Sequence, residues 1–267
     1  MDELKLKELV SLMARLRATD GCPWDREQDL STLIPFIIEE AHEVVAAIES
    51  GSKDALKEEL GDLLFQVVFA SQLASEANEF TIKDVIEENI SKMTRRHPHV
   101  FGDASAETSK EVLLKWDEIK KAEEKKKNHG GYLSNVPETL PSLLRAHKIS
   151  KKAAKTGFDW RSTEEVMDKL EEELNEFKDA LKRKDTKNVE EELGDILFAL
   201  VNVARFVEVN PEEALRKTIG RFMYRFHFIE KSLEEKNKSL SNSSLDEMEA
   251  LWNEAKQKEK NKAISDG

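Results

Sequence analysis

The stretch EEELNEFKDALKRKDTKNVEEELGD (Glu171–Asp195) decides the architecture of this chain. Glu173 and Glu176 are three residues apart and therefore share one face of a helix, and the same spacing recurs at Glu192 and Asp195. The apolar run ILFALV follows directly, which places the second pair at the edge of a predicted core. Two carboxylate pairs on neighbouring helices predict an oxygen-only site for magnesium or manganese and argue against zinc or copper.

The same constellation occurs a second time in the first half of the chain. With 54 acidic residues among 267, most glutamate pairs at helical spacing are expected to be solvated surface. However, seven of the eleven residues in 59–69 are identical to those in 192–202, and the carboxylates recur at a constant offset of 133. We therefore interpret the chain as an internal duplication. The first-half carboxylates are Glu40, Glu43, Glu59 and Asp62.

Composition excludes several classes of function. The net charge of -12 argues against general nucleic-acid binding, which requires a basic face, but it leaves a nucleotide substrate possible because bound cations reverse the local field. The single cysteine, Cys22, excludes an intrachain disulfide and fits a reducing compartment. The charged N-terminus has no signal-peptide core and no run reaches membrane-spanning length. We therefore expect a cytoplasmic protein that does not bind membranes.

The periodicity predicts an all-α fold of tandem duplicated domains, each a four-helix-type bundle with one carboxylate metal site. We assign residues 1–127 and 142–260 to the two domains, 128–141 to a linker with paired glycines and two prolines, and 261–267 to a frayed tail. Predicted helices cover 2–18, 31–50, 53–76, 81–96, 109–127, 142–155, 163–184, 186–209, 211–236 and a last helix from 245.

The connecting segments carry their own predictions. The stretches DGCPWDREQD (20–29) and RRHPHVFGD (95–103) are predicted to be a turn and a loop because glycine and proline interrupt the helical pattern. Gly51 is predicted to end its helix, and Gly61 to allow another backbone to approach closely.

Basic and aromatic residues recur in both halves. Arg221 and Arg225 share a helix face, and their forked side chains suit phosphate oxygens, although the spacing alone favours a solvated basic face. Comparable first-half positions are Lys92, Arg95 and Arg96. Trp252 and Lys256 are four residues apart, as are Trp116 and Lys120. Each pair fits either an aromatic floor with a phosphate contact or a core tryptophan beside a snorkelling lysine.

The pattern EExxE followed by ExxD resembles the MazG nucleoside triphosphate pyrophosphohydrolases. The phrases GCPWDREQ, RRHPHVFGD, TGFDW and EELGDLLFQVVF extend the likeness to two-domain bacterial MazG proteins over nearly the whole length. The resemblance implies an all-α tandem protein, usually a homodimer, that uses magnesium, with manganese as a possible substitute. It implies hydrolysis of nucleoside triphosphates to monophosphate and pyrophosphate.

Residue roles follow from the same resemblance. The metal ligands implied are Glu173, Glu176, Glu192 and Asp195, with Glu40, Glu43, Glu59 and Asp62 as the second set. The nucleotide-binding residues implied are Lys169, Glu172, Arg221, Arg225 and Trp252, together with Glu192, Asp195 and Lys256. This chain has Asn188 where the family often has a lysine, which puts one phosphate contact in question.

Glu172 is the candidate to orient or deprotonate the attacking water, since it adjoins Glu173 about 100° around the helix. Lys169, one turn earlier, is placed to reach a phosphate, whereas its counterpart at the offset of 133 is Phe36. We therefore expect the second half to perform most of the hydrolysis. Alternative interpretations are a regulatory module that binds a nucleotide or a partner without turnover, and a purely structural bundle.

Overall fold

The computed structural model describes residues 2–127 and 131–265. In that part of the chain the regular elements are helices and no strand occurs, which confirms the all-α prediction. The helices divide into two compact units, residues 1–128 and 129–267. No helix within the described ranges has the length and apolar character needed to span a bilayer.

The first unit is built around two long neighbouring helices. Its core contains Met13, Leu33, Val68 and Phe69, which come from the first helix, from the residue before the third, and from the fourth. A left-handed Gly51 ends the third helix as predicted, and Ser52 caps the fourth by accepting a hydrogen bond from the Ala55 amide. The helices are α1 (Asp2–Leu16), α2 (Pro23–Glu27), α3 (Ile34–Ser50), α4 (Lys53–Glu76), α5 (Ile82–Arg96), α6 (Pro98–Phe101) and α7 (Ser109–Lys127).

The second unit repeats this plan with a comparable helix pair. Leu170, Ile196 and Ala199 form the apolar seam between that pair, and a separate cluster of Ile229, Leu233 and Leu251 joins the last two helices. The helices are α8 (Ser142–Ala154), α9 (Thr163–Arg183), α10 (Thr186–Phe206), α11 (Pro211–Glu235) and α12 (Leu245–Ser265), with a 3-10 turn at Leu240–Asn242.

Two connecting segments are more regular than the sequence suggested. The predicted turn at 20–29 contains α2, and the predicted loop at 95–103 contains α6. Pro23 and Pro98 lie in the first turn of these helices, where the missing amide hydrogen costs nothing. The prolines therefore begin short helices here instead of marking irregular chain.

The expectation for Gly61 was wrong. A β-carbon built at Gly61, or at the equivalent Gly194, meets no atom within 4 Å, so no backbone from the described part of this chain approaches either glycine. The first three residues of the predicted linker, 128–130, lie outside the described residues. Helix α12 continues to Ser265, and residues 266 and 267 of the predicted tail also lie outside them.

Candidate metal centre

Helices α9 and α10 bring three carboxylates of the second half together. Glu173, Glu192 and Asp195 each offer one oxygen, and these oxygens all lie within 4.8 Å of one another. Glu173 is buried, whereas Asp195 is exposed, so the cluster lies where the apolar seam meets solvent. Packing of Leu170 against Ile196 fixes the rotation of both helices and therefore turns their carboxylates toward each other.

The short connection between these helices is also well specified. Ser162 caps α9 and Asp185 caps α10, each by accepting a hydrogen bond from a backbone amide of the first turn. Lys184, between the helices, has a left-handed backbone with φ of 56°. Its counterpart at the offset of 133 is Gly51, which has φ of 71°. The two halves therefore use one loop geometry to position their carboxylate helices.

Glu176 lies against the edge of the second-half cluster. Burial raises the pKa of the Glu192 carboxyl, the nearby charges of Glu176, Glu173 and Asp195 raise it further, and Glu176 shares a hydrogen bond with Glu192. The four predicted ligands therefore interact, although three of them form the tight group. Such mutual repulsion is relieved either by protons or by a cation.

The first half contains a similar cluster, but its third member is Glu43, the counterpart of Glu176, and Asp62 lies outside the tight group. Glu40, Glu43 and Glu59 hold their nearest oxygens within 4.8 Å of one another. Burial raises the pKa of Glu40, and the charges of Asp62, Glu43 and Glu59 add to that increase. Burial likewise raises the pKa of Glu59, which shares a hydrogen bond with Glu43. Both halves therefore bring together carboxylate oxygens of the type that binds hard divalent cations.

Lys169 distinguishes the two clusters. Its ammonium lies 2.8 Å from a carboxylate oxygen of Glu172 and 2.8 Å from one of Glu173. The hydrogen bonds to Glu172 and Glu173 raise the pKa of Lys169. In the first half, Phe36 is partly buried against the apolar core. Its ring packs edge-to-face with the Trp24 ring, and the two ring centroids are 5.7 Å apart. The predicted cationic residue is therefore present at one cluster and replaced by a core residue at the other.

The predicted phosphate-binding residues form a separate group on α11 and α12. The Arg225 guanidinium donates to Glu259 at 2.7 Å and lies over the Trp252 ring at 5.4 Å from its centroid. Arg221 donates to the Thr218 hydroxyl at 2.7 Å. Lys256 is exposed on α12. Among the described residues, no hydrogen bond or ion pair joins this group to the carboxylate cluster.

The same arginine latch is repeated in the first half. Arg96 donates to Glu123 at 2.6 Å and lies 5.4 Å from the Trp116 centroid, and Arg95 donates to the other oxygen of Glu123 at 2.7 Å. These hydrogen bonds lower the pKa of Glu123 to about 2. We define the Arg96–Trp116–Glu123 and Arg225–Trp252–Glu259 sets as the two arginine latches.

Sequence reasoning missed the glutamates of both latches. Glu123 and Glu259 each follow the tryptophan of their latch by seven residues, so a signal was present in the sequence. That spacing gave no indication that the tryptophans pack under arginines from another helix. Trp252 also packs against the apolar cluster of α11 and α12. The Trp116 ring packs edge-to-face with the His97 ring, and their centroids are 4.8 Å apart. Both tryptophans therefore have structural contacts as well as an arginine neighbour.

Comparison with known proteins assigns both clusters to one kind of domain. A family model described as the MazG nucleotide pyrophosphohydrolase domain matches residues 28–101 and 161–227, and each match contains one carboxylate set. A Thermotoga maritima protein named nucleoside triphosphate pyrophosphohydrolase/pyrophosphatase MazG is 43% identical over 94% of this chain and 95% of its own length.

Two further relatives cover most of the chain. The Escherichia coli K12 protein named nucleoside triphosphate pyrophosphohydrolase is 42% identical over 96% of this chain and 98% of its own length. A Bacillus subtilis protein named uncharacterized protein YabN is 45% identical over 94% of this chain, although the match spans only 51% of that protein. Matches over nearly the whole of this chain therefore occur in relatives of similar and of greater length.

Proposed function

The chain belongs to the MazG family, and from this premise we propose that it hydrolyses nucleoside triphosphates to monophosphates and pyrophosphate with magnesium. The observation that carries the proposal is the convergence of Glu173, Glu192 and Asp195 within 4.8 Å, with Glu176 beside them. The names of the relatives at 42–43% identity supply the reaction. A role in controlling cytoplasmic nucleotide pools would follow from that reaction.

The carboxylates require a cation before a triphosphate can approach them, since both are strongly negative. A magnesium ion held by Glu173, Glu176, Glu192 and Asp195 would neutralise that charge and polarise the phosphoryl oxygens, and manganese would serve similarly. Three convergent carboxylates with a fourth beside them fit such an ion, because magnesium favours carboxylate oxygen and retains some of its water.

The side chains around the carboxylates would activate the water and bind the phosphate groups. Glu172 is 56% exposed and paired with Lys169. We assign to its carboxylate the role of orienting or deprotonating the attacking water. Lys169 would exchange a carboxylate partner for a phosphate oxygen when the nucleotide binds. Arg221 and Arg225 would stabilise the charge that develops on the phosphates. Arg225 would have to exchange Glu259 for the nucleotide to do so.

The test is a panel of nucleoside triphosphates with magnesium, in which the products are separated as monophosphate plus pyrophosphate or diphosphate plus phosphate. We expect the first product pair, and we expect Glu192→Ala and Asp195→Ala to abolish it while circular dichroism stays unchanged. Glu191→Ala is the matched control, because Glu191 is on the same helix but pairs outward with Lys187 at 3.7 Å. Nucleotide binding without metal-dependent turnover would instead support a regulatory module, and loss of the fold in either variant would assign the carboxylates a structural role.

We also propose that the protein is a homodimer. A stripe of large apolar residues on the metal-site helix of each half is between 41% and 49% exposed, and the adjacent Gly61 and Gly194 leave open space. Exposed apolar stripes of this kind are typical of protein interfaces. The stripe residues are Leu60, Leu64 and Val67 in the first half and Leu193, Leu197 and Leu200 in the second.

Sedimentation velocity tests this association. We expect twice the chain mass at micromolar concentration, and a shift toward the chain mass for Leu197→Glu. Leu215→Glu is the control, since Leu215 is equally exposed on α11 but outside the stripe. A wild-type protein that sediments at the mass of one chain would contradict the dimer without affecting the proposed reaction.

A further inference from the structure

A cavity lies at the far end of α10 from the metal centre. Its volume is about 420 Å³, which falls within the range of small-molecule sites. Arg205, on its wall, follows Asp195 by ten residues on the same helix, so about 15 Å of helix axis separates the two. The lining residues are His147 and Lys151 of α8, Arg205 of α10, and Glu208, Val209 and Asn210 of the connection to α11.

The cavity wall contains a buried polar atom without a partner. The Nδ1 atom of His147 is inaccessible to solvent and makes no hydrogen bond to any described residue. The same helix carries two more such atoms, Nε of Arg145 and Oγ of Ser150. Buried polar atoms in native proteins almost always have a partner, so the described residues leave this side of the His147 ring unsatisfied.

The charges around His147 favour an anion. Burial lowers the pKa of the His147 ring, and the positive charges of Lys151 and Arg205 lower it further. Arg205 is compensated, because it forms an ion pair with Asp159 and donates to Asn202. Lys151 forms no ion pair within the described part of the chain, and it is one helical turn from His147. The ammonium of Lys151 is therefore the uncompensated cation of the cavity.

The remaining wall supplies one further donor and one opposing charge. Asn210 caps α11 through its side-chain oxygen, which accepts from the amides of Glu212 and Glu213 and leaves its amide hydrogens for a ligand. Glu208 lies at the exposed rim, where its carboxylate repels an anion. A single cation opposed by a rim carboxylate suits a small oxyanion held at moderate affinity.

We propose that this cavity is a second ligand site, in which Lys151, His147 and Asn210 bind a phosphate group. Because Nδ1 of His147 is inaccessible, the Nε2–H of its ring donates to a phosphate oxygen, while Lys151 supplies the charge and Asn210 donates through its amide. The phosphate group is either that of inorganic phosphate or pyrophosphate, or that of a nucleoside monophosphate. The site does not depend on hydrolysis at the metal centre.

The experiment is isothermal titration of the full-length Glu192→Ala protein, with a chelator present so that the metal centre contributes no anion binding. Inorganic phosphate, pyrophosphate and a nucleoside monophosphate are titrated separately. We expect Lys151→Ala to weaken binding about tenfold, which corresponds to about 1.4 kcal/mol. Lys148→Ala, on the same helix but outside the cavity, should leave the affinity unchanged.

Removal of the negative charge at the rim of the cavity provides a second test of phosphate binding. Glu208→Gln removes the rim carboxylate and should tighten binding, and NMR titration should show that phosphate raises the pKa of His147. The proposal is overturned if none of the three probes binds at millimolar concentration. It is also overturned if Lys151→Ala and Lys148→Ala weaken binding equally, or if Glu208→Gln has no effect. Preference among the three probes identifies the source of the phosphate group.

Discussion

At the scale of single residues, Lys169 lies where two partners would compete for its ammonium group. These partners are the carboxylates of the proposed metal site and a phosphate group of the substrate. Its ammonium contacts Glu173, which is buried and belongs to the cluster, as well as the more exposed Glu172. An isolated helical pair of this type contributes roughly 0.2–0.5 kcal/mol. Two simultaneous contacts at the cluster indicate a residue whose charge affects cation binding directly.

We predict that Lys169→Met tightens magnesium binding but slows turnover. The variant removes a positive charge from Glu173, so magnesium affinity without nucleotide should rise by roughly tenfold in calorimetry. The proposed contact of Lys169 with a phosphate group is lost as well, so kcat/KM should fall. Lys178→Met, on the same helix but bonded to Asn175, should change neither quantity. Weaker magnesium binding in Lys169→Met would mean that the lysine stabilises the cluster instead of competing with the ion.

The clustered carboxylates predict a distinctive pH dependence. The pKa of Glu192 is raised above 4.5 in the folded chain, so the folded state holds this proton more tightly than the unfolded state. In metal-free protein, Glu192 therefore contributes stability at low pH that is lost as the pH rises from about 4.5 through the folded pKa. Urea unfolding of wild type and Glu192→Gln across this range should show the variant gaining relative stability as pH rises.

Magnesium should reverse that trend, because the ion replaces the proton as the neutralising charge. Its stabilising effect on wild type should grow as pH rises and be much smaller in Glu192→Gln. A pH-independent difference between the two metal-free proteins would show that the four carboxylates do not interact as their positions require.

At the scale of elements, the loop between the two carboxylate helices has a strained backbone in the second half but not in the first. Gly51 and Lys184 occupy equivalent left-handed positions between the two carboxylate helices. Glycine adopts this conformation freely, whereas a lysine pays roughly 1–2 kcal/mol for its β-carbon. The first half therefore has glycine, which suits this left-handed position, whereas the second half has lysine there.

Lys184→Gly should stabilise the second unit by about 1 kcal/mol. Thermal unfolding provides the measurement, and Arg183→Gly one residue earlier is the control. That variant places glycine inside right-handed helix and should destabilise the protein by a similar amount, about 1 kcal/mol. If both variants destabilise, the left-handed conformation of Lys184 is not a source of strain.

Most of the long helices could be predicted from sequence because their apolar stripes repeat at helical spacing. The bounds of α4 were predicted to the residue, and Gly51 was identified as the end of α3. The short helices α2 and α6 were missed because Pro23 and Pro98 were treated as breakers, although both begin a helix. A local pattern does not distinguish these two uses of proline, since the difference depends on the backbone that precedes it.

At the scale of the whole molecule, duplication made the carboxylate clusters predictable. Glu173 and Glu192 are on consecutive helices joined by a short loop, so their convergence follows from helix geometry. The arginine latches were not predictable in the same way, because Arg225 and Glu259 lie on helices whose packing depends on tertiary contacts. The two residue groups of the candidate site therefore differ in how far sequence determines their positions.

The two clusters differ in charge, because Lys169 lies at one and Phe36 at the equivalent position of the other, and this difference predicts unequal hydrolytic activity. Glu192→Ala should lose nearly all hydrolysis, by about 100-fold or more, because the variant removes a proposed metal ligand from the cluster that carries Lys169. Glu59→Ala should retain a substantial part, since Phe36 supplies no charge to the first cluster. Both variants should be assayed side by side at saturating magnesium. Equal losses, or the reverse order, would indicate coupled sites or an active first half.

The repeated arginine latch has a different consequence in each half for the local opening of the chain. In the second half, Ile229, Leu233 and Leu251 are buried between α11 and α12, so Glu259 assists an apolar contact. In the first half, none of the described side chains of α5 or α7 is buried, so the described part of α7 has no buried apolar contact to assist the latch. Helices without a buried apolar contact open more readily.

Amide hydrogen exchange should therefore separate the two latches. Glu123→Gln is expected to accelerate exchange along α7 to nearly the rate of free peptide, whereas Glu259→Gln leaves α12 protected by its apolar contact. Equal acceleration in both helices would mean that the buried cluster contributes little to holding α12. The same kind of latch would thus hold a readily opened helix, α7, in the first half and add only slightly to the protection of α12 in the second.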